Sequence, residues 1–219
     1  MTKKREEFIT CSNCGAKCLM TIFDSINVTL EPELKQKLID WELFKFTCET
    51  CKHSVLLNYE VLYHDMVHGL LLQYVPETGS KDKAIEMFED VISMAEDSED
   101  TFSAFSSDYY QVRVVFEMET FVEKAQIYAA GFDDRLIEIM KYIIAPAEDE
   151  DISFTYDHMV FTKVGPENYQ FMFIDDRRAV ASVKFDKEFY EQLESDFAEK
   201  LEKSFIVDED WAYTILSKT

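Results

Sequence analysis

The sequence predicts an α+β fold, because strand-like and helix-like stretches are segregated along the chain instead of alternating one by one. Strand patterns fill the first third, helical spacing follows, and three alternating segments lie together before a last predicted helix. Charge is the second observation. Of 22 basic and 44 acidic residues, giving a formal −22, only 8 and 10 lie within residues 1–75, which leaves 14 and 34 for the remainder. The third is the turn-forming stretch Pro76-Glu-Thr-Gly-Ser80, which interrupts the apolar pattern. Together these place a boundary near residue 76, with a small β module carrying one inserted helix over 1–76. An acidic α+β region with a three-stranded meander and several helices is expected over 77–219. A hydrophobic fraction of 47% in 219 residues is enough for a buried core and excludes disorder along the whole chain.

Phe8-Ile9-Thr10 and Leu19-Met-Thr-Ile-Phe23 read as short strands. Pro32 at a first helical position, with Leu34 and Leu38 four apart, predicts a short helix ending near Trp41. Leu43–Thr47, Ser54–Tyr63 and Leu70–Val75 read as strands, with a turn at His64-Asp65. Ser80 as N-cap and Ile85, Phe88, Ile92 and Ala95 at helical spacing predict a one-sided helix that ends in the charge run 96–100. Residues 112–116 fit either a strand or a first helical turn. Phe121, Ala125 and Tyr128 mark a helix stopped by Gly131. Asp133 or Asp134 caps the next, apolar on Leu136, Met140 and Ile143 and ended before Pro146. The meander follows over 152–162, 169–174 and 179–185, with turns at Gly165-Pro166 and 175–178, and Asp186 caps a final helix through Phe189, Leu193, Phe197 and Leu201. There is no internal repeat.

Four of the five cysteines form two pairs, Cys11-Ser-Asn-Cys14 and Cys48-Glu-Thr-Cys51. Each pair sets two thiolates on one tight turn, and 33 intervening residues can return the chain so that four sulfurs surround one ion. Tetrahedral zinc suits that set, giving a zinc-ribbon-like module with a coordinatively closed, structural site at Cys11, Cys14, Cys48 and Cys51. Gly15 allows the first turn to direct backbone N–H groups toward sulfur. The second turn has Lys52 instead, whose charge helps neutralise a four-thiolate centre. Cys18, beside Leu19, is read as a small core residue, with entry as a substitute ligand the alternative.

These residues, with Ser25–Leu34, Leu43–Cys48 and Leu62-Tyr-His-Asp65, resemble the CpXC domain family, named for its Cys-Pro-X-Cys pairs. The likeness covers about residues 8–75, and Gly131–Lys141 is similar to a segment that often accompanies that domain. It implies a four-cysteine zinc site and brings no reaction or substrate. Ser12 and Glu49 stand where the family name puts proline, which bears on how rigid the turns are.

Other constellations are weaker. His64 and His68 are four apart without the glutamate of a zinc-protease helix, and His64 with Asp65 is expected to brace a turn. His158 is expected to be a hydrogen-bonded sheet residue, and His53 is a fallback ligand. The pairs Asp133-Asp134 and Asp175-Asp176 suit caps and turns. No phosphate-binding glycine loop, nucleophile elbow or dinucleotide fingerprint is present. Net charge disfavours nucleic acid and anionic membranes as partners. A charged start without an apolar stretch, no run long enough to span a bilayer, and paired thiols point to a cytoplasmic protein. The leading reading is an interaction module that docks a protein partner. An enzyme with scattered residues, tested first at His64, Asp65 and His158, is the alternative, as is an acidic inhibitor that mimics nucleic-acid charge.

Overall fold

A computed structural model of the chain describes residues 1–76, 82, 83, 85, 86, 88–90, 110–145, 154–198 and 200–218. It forms a mixed α+β structure in two compact units, Met1–Val122 and Glu123–Thr219. That division lies well beyond the turn at residue 76 where the sequence places one. The reason is visible in the first sheet, where a strand from beyond residue 110 joins strands from the first third of the chain.

The first unit contains β1 (Lys3–Thr10), β2 (Lys17–Asn27), α1 (Glu33–Ile39), β3 (Lys45–Thr47), β4 (Ser54–Leu56), β5 (Val61–Asp65), β6 (Leu70–Tyr74) and β7 (Gln111–Val115). Five of these make one sheet in the order β1-β2-β5-β6-β7, and β3 and β4 make a separate two-stranded ribbon. β1 and β2 form an antiparallel hairpin, β2 pairs parallel with β5, and β7 runs parallel to β6 from Leu70↔Gln111 to Tyr74↔Val115. This settles residues 111–115 as a strand. β6 is buried on both faces, apolar but for Gln73, whose amide donates to Glu60 and to the Tyr74 carbonyl, while the edge strand β1 is charged and almost wholly exposed. The single strand expected over 54–63 is divided. Ser54–Leu56 pairs with β3, and after Leu57 and Tyr59 bond back to Phe44 and Leu43 the chain enters the large sheet at Val61. α1 turns Leu34 and Leu38 inward, as their spacing predicts. Phe44, Tyr63, Tyr74 and Phe121 form an aromatic core with centroids 5.6–6.3 Å apart, mostly edge to face.

Of the helix expected after Ser80, Ile85 and Phe88 have helical backbone and Phe88 is buried. Ser80, Ile92 and Ala95 lie outside the described residues, as do Phe102, Phe105 and Tyr109.

α2 (Met118–Ala129) ends as the sequence predicts: Gly131 takes φ +78, and Phe132 N–H bonds back to the Ile127 carbonyl. The second unit continues with α3 (Asp134–Ile144), β8 (His158–Lys163), β9 (Tyr169–Asp175), β10 (Arg178–Lys184), α4 (Lys187–Phe197) and α5 (Glu209–Ser217). The meander has the order β10-β9-β8. Asp176 and Arg177, both at positive φ, make the two-residue turn between β9 and β10. Asp133 caps α3 by accepting the Arg135 N–H, and Asp186 caps α4 by accepting from Glu188 and Phe189. α5 is absent from the sequence reading, although Asp208 caps it and Ala212 and Ile215 bury against the same core as α3 and α4. Phe161, Phe171, Phe173, Phe185, Tyr190, Leu193 and Phe197 are the large members of that core.

Asp134 is not a cap. It is fully buried, accepting from Lys124 Nζ at 2.8 Å and from Tyr128 Oη at 2.8 Å. Glu138, 3.7 Å from Lys124, also accepts from Lys141, whose other partner is the buried Glu123. Burial raises the Glu123 pKa despite Lys141. Burial likewise disfavours the Lys141 charge, but Glu123 and Glu138 outweigh it and hold that lysine above its ordinary value. Lys124 thus bonds Asp134 directly within this network of three acids and two lysines. Lys124→Met keeps the volume but removes that ion pair from a fully buried carboxylate. The expected loss is about 3–5 kcal/mol of stability in urea unfolding, larger than an ordinary surface change.

Candidate metal centre

Each cysteine pair sits on a turn that closes by the same two hydrogen bonds. In the first, Cys11 N–H donates to the Ala16 carbonyl and Gly15 N–H to the Cys11 carbonyl, both at 2.9 Å. In the second, Cys48 N–H donates to the His53 carbonyl at 2.8 Å and Lys52 N–H to the Cys48 carbonyl at 2.9 Å. The offsets from the leading cysteine are identical, so the two are copies of one knuckle. The residue after the second cysteine is left-handed in both, Gly15 at φ +73 and Lys52 at φ +61. Lys52 therefore adopts the geometry the sequence reserves for glycine. Neither knuckle requires proline, since both close with Ser12 and Glu49 in place.

The knuckles bring four sulfurs together. Sγ of Cys11 is 3.7 Å from that of Cys51, Sγ of Cys14 is 3.6 Å from that of Cys48, and all four lie within 4.8 Å of one another. Cys11 and Cys48 are buried, Cys51 is half-buried and Cys14 is exposed. No disulfide joins any of the five cysteines. Among the described residues this is the one group of His, Cys, Asp or Glu side chains arranged to hold an ion. Such a set of soft donors is a possible metal site; His53 stands outside it, and its backbone carbonyl closes the second turn.

The electrostatics of the cluster favour thiolate at two positions. Backbone N–H groups, first that of Cys51 and then that of Thr50, outweigh burial and pull the Cys48 thiol down to about 6. Cys51 is lowered chiefly by Asn13, whose side-chain amide donates to its sulfur at 3.5 Å, and then by the His53 N–H. Ala16 N–H favours the Cys14 thiolate, but contact with the Cys51 thiol, burial and the other sulfurs outweigh it and push Cys14 up to about 12. Asn13 escapes sequence reasoning because a residue inside a C-x-x-C turn carries no spacing signal for a contact with the other turn.

Cys18 is buried in the same apolar cluster as Cys11, Cys48 and Phe46, which agrees with a core role. Its sulfur nevertheless lies 3.8 Å from that of Cys48.

The residues expected to mark an alternative site are arranged differently. His64 and Asp65 end β5, and the turn follows at 66–69. Asp65 is buried and saturated. Oδ2 accepts from Lys35 at 2.6 Å, His68 at 2.8 Å and Tyr63 at 3.2 Å, and Oδ1 accepts the Val67 and His68 N–H groups. Five donors on a carboxylate with about four lone-pair sites describe a turn anchor. His64 Nε2 bonds to the Tyr110 hydroxyl at 3.0 Å, and burial, then the terminal ammonium, lower its pKa. His158 lies in β8 as expected, but its Nε2 has no hydrogen-bond partner among the described residues.

Fold and site together define an α+β protein with a four-cysteine centre. The chain belongs to the CpXC protein family, whose profile matches residues 9–141, so the likeness reaches through α2 and most of α3. No curated protein and no solved structure matches the chain. No helix among the described residues is long and apolar enough to cross a membrane.

Substitutions at the knuckle backbone and at Asp65 have separate expected outcomes. Gly15→Ala meets no atom within 4 Å, so its cost is confined to the left-handed backbone. It is expected to lower stability by about 1–2 kcal/mol, whereas Lys52→Gly raises it or leaves it level, both read from thermal unfolding midpoints. For Asp65 the donors outweigh burial and lower the carboxyl pKa. A group depressed on folding contributes stability above its unfolded pKa of about 3.9 and loses it as pH falls through the folded value. Asp65→Asn should therefore be less stable than wild type at pH 7 by about 1–3 kcal/mol, and the gap in urea unfolding should narrow below about pH 4.

Proposed function

We propose that the four cysteines hold one structural zinc ion, and that the protein is a cytoplasmic interaction module whose fold that ion maintains. The observation that carries the reading is the spacing of the sulfurs. Zinc bonded to thiolate at about 2.3 Å requires sulfurs about 3.8 Å apart at the corners of a tetrahedron, and the contacts here are 3.6 and 3.7 Å. A donor set of sulfur alone suits zinc and not calcium or magnesium, which take oxygen. Zinc bound by four thiolates offers no position to water or substrate, so its contribution is to hold the two knuckles together. Five free thiols support a reducing compartment.

A role in docking is supported by an occupied carboxylate and an exposed apolar pair. Asp65 is occupied by its own turn, and Phe8 and Leu19 face each other across the β1–β2 hairpin at 72% and 48% exposure. A partner covering that pair would be a protein, because a formal charge of −22 repels phosphate polymers and anionic lipid.

Elemental analysis of the purified protein is expected to give one zinc per chain. Removal of the metal with a strong chelator should abolish the structure of the first unit, read from circular dichroism and restored by added zinc. A metal-free protein that keeps its fold would overturn the zinc reading. Docking is tested separately, by whether a defined protein co-purifies in fixed stoichiometry with wild type and is lost in Phe8→Ser/Leu19→Ser while the zinc content stays at one.

A further inference from the structure

The cluster contains five sulfurs, one more than a tetrahedral ion can use. We propose that Cys18 is a reserve ligand: when Cys14 is lost from the metal, the Cys18 sulfur takes its place. This rests on the four-thiolate reading above. Cys18 Sγ is 3.8 Å from Cys48 Sγ, the same separation within 0.2 Å as the Cys14–Cys48 and Cys11–Cys51 contacts. It stands outside the group whose sulfurs are all mutually within 4.8 Å, so it adds no fifth bond while that group is intact.

Exposure separates the two cysteines. Cys14 is exposed, and among the four sulfurs it is the one that alkylating or oxidising reagents reach first. Cys18 is 5% exposed and shielded by Phe46 and by the apolar residues packed around it, among them Ile9 and Met20. Both belong to the same hairpin, with Gly15-Ala16-Lys17 between them, and both sulfurs adjoin Cys48. An ion that loses Cys14 therefore needs only to shift on the buried side of Cys48, leaving the second knuckle in place. In the exchange the metal–Cys14 bond breaks, the Cys18 thiol gives its proton to water, and a metal–Cys18 bond forms. Four thiolates remain, and the site stays closed.

The test uses the full chain with cobalt(II) as a spectroscopic probe and zinc for affinity. Wild type and Cys18→Ala are both expected to bind one equivalent with the sulfur-to-cobalt charge-transfer intensity of four thiolates. Cys14→Ser should retain that full intensity. Cys14→Ser/Cys18→Ala should fall to about three-quarters of it and bind zinc at least tenfold more weakly than Cys14→Ser alone. If Cys14→Ser already shows the three-thiolate intensity and matches the double variant in affinity, the reserve role is overturned. Should Cys14→Ser fail to fold, alkylation of zinc-loaded protein decides the matter. Modification of Cys14 is expected to leave zinc bound in wild type and to release it from Cys18→Ala, and equal release from both would overturn the proposal. A wild type that binds no metal at all would instead remove the four-thiolate reading.

Discussion

At one end of the first unit, sulfur from two separate turns is brought to one point, and the local packing is arranged around it. Away from the five-stranded sheet, this end has few other buried groups. β3 and β4 are three residues each, and an isolated two-stranded ribbon is marginal in water. The buried cluster around them consists of Cys11, Cys18, Phe46 and Cys48. Three of its four members are cysteines, so the centre of this miniature core is the donor set itself. That explains why the two knuckles close by the same two backbone hydrogen bonds and why Lys52 tolerates a left-handed backbone. The geometry needed to point sulfur inward sets the main chain, and the side chain follows.

The second unit shows the opposite solution. A broad aromatic core from three strands and the helices around them encloses charge instead of sulfur. Asp134, Glu138 and Glu123 are tied by Lys124 and Lys141, linking α2 to α3, while Glu123 also accepts the Phe161 N–H of β8. Buried ions seldom stabilise more than an apolar replacement would, but they punish misplacement. A network that bonds a helix, its successor and a strand fixes one register for all three.

Much of this was legible in the sequence, and the limits have physical causes. The cysteine pairs, Leu34 and Leu38 on α1, the stop at Gly131, the Asp133 and Asp186 caps and the meander all depend on local chemistry, and local chemistry is what spacing records. The second knuckle misled only in part, because Lys52 adopts by tertiary constraint a conformation whose usual mark is glycine. The pairing of β7 with β6 joins residues about forty apart, and no local pattern distinguishes a strand that will be paired from a first helical turn. Asp134 resembles its neighbour Asp133 in sequence. Only the position of Lys124 and Tyr128, one turn apart at the end of α2, makes one a cap and the other a buried anion.

Asp65, an obvious candidate for chemistry, is bonded as a structural residue. A catalytic carboxylate must keep a lone pair for a proton or a substrate. Asp65 gives both oxygens to Lys35, His68, Tyr63 and two backbone amides, and those donors hold its pKa down despite burial. Depression of this kind suits an anchor that must stay charged; a general base working near neutrality needs the reverse. Its place at the end of β5 gives the anchor a purpose, since the turn it closes returns the chain into β6, the strand buried on both faces at the heart of the sheet. Within the first unit, sulfur gathers the two knuckles and Asp65 closes the β5–β6 turn.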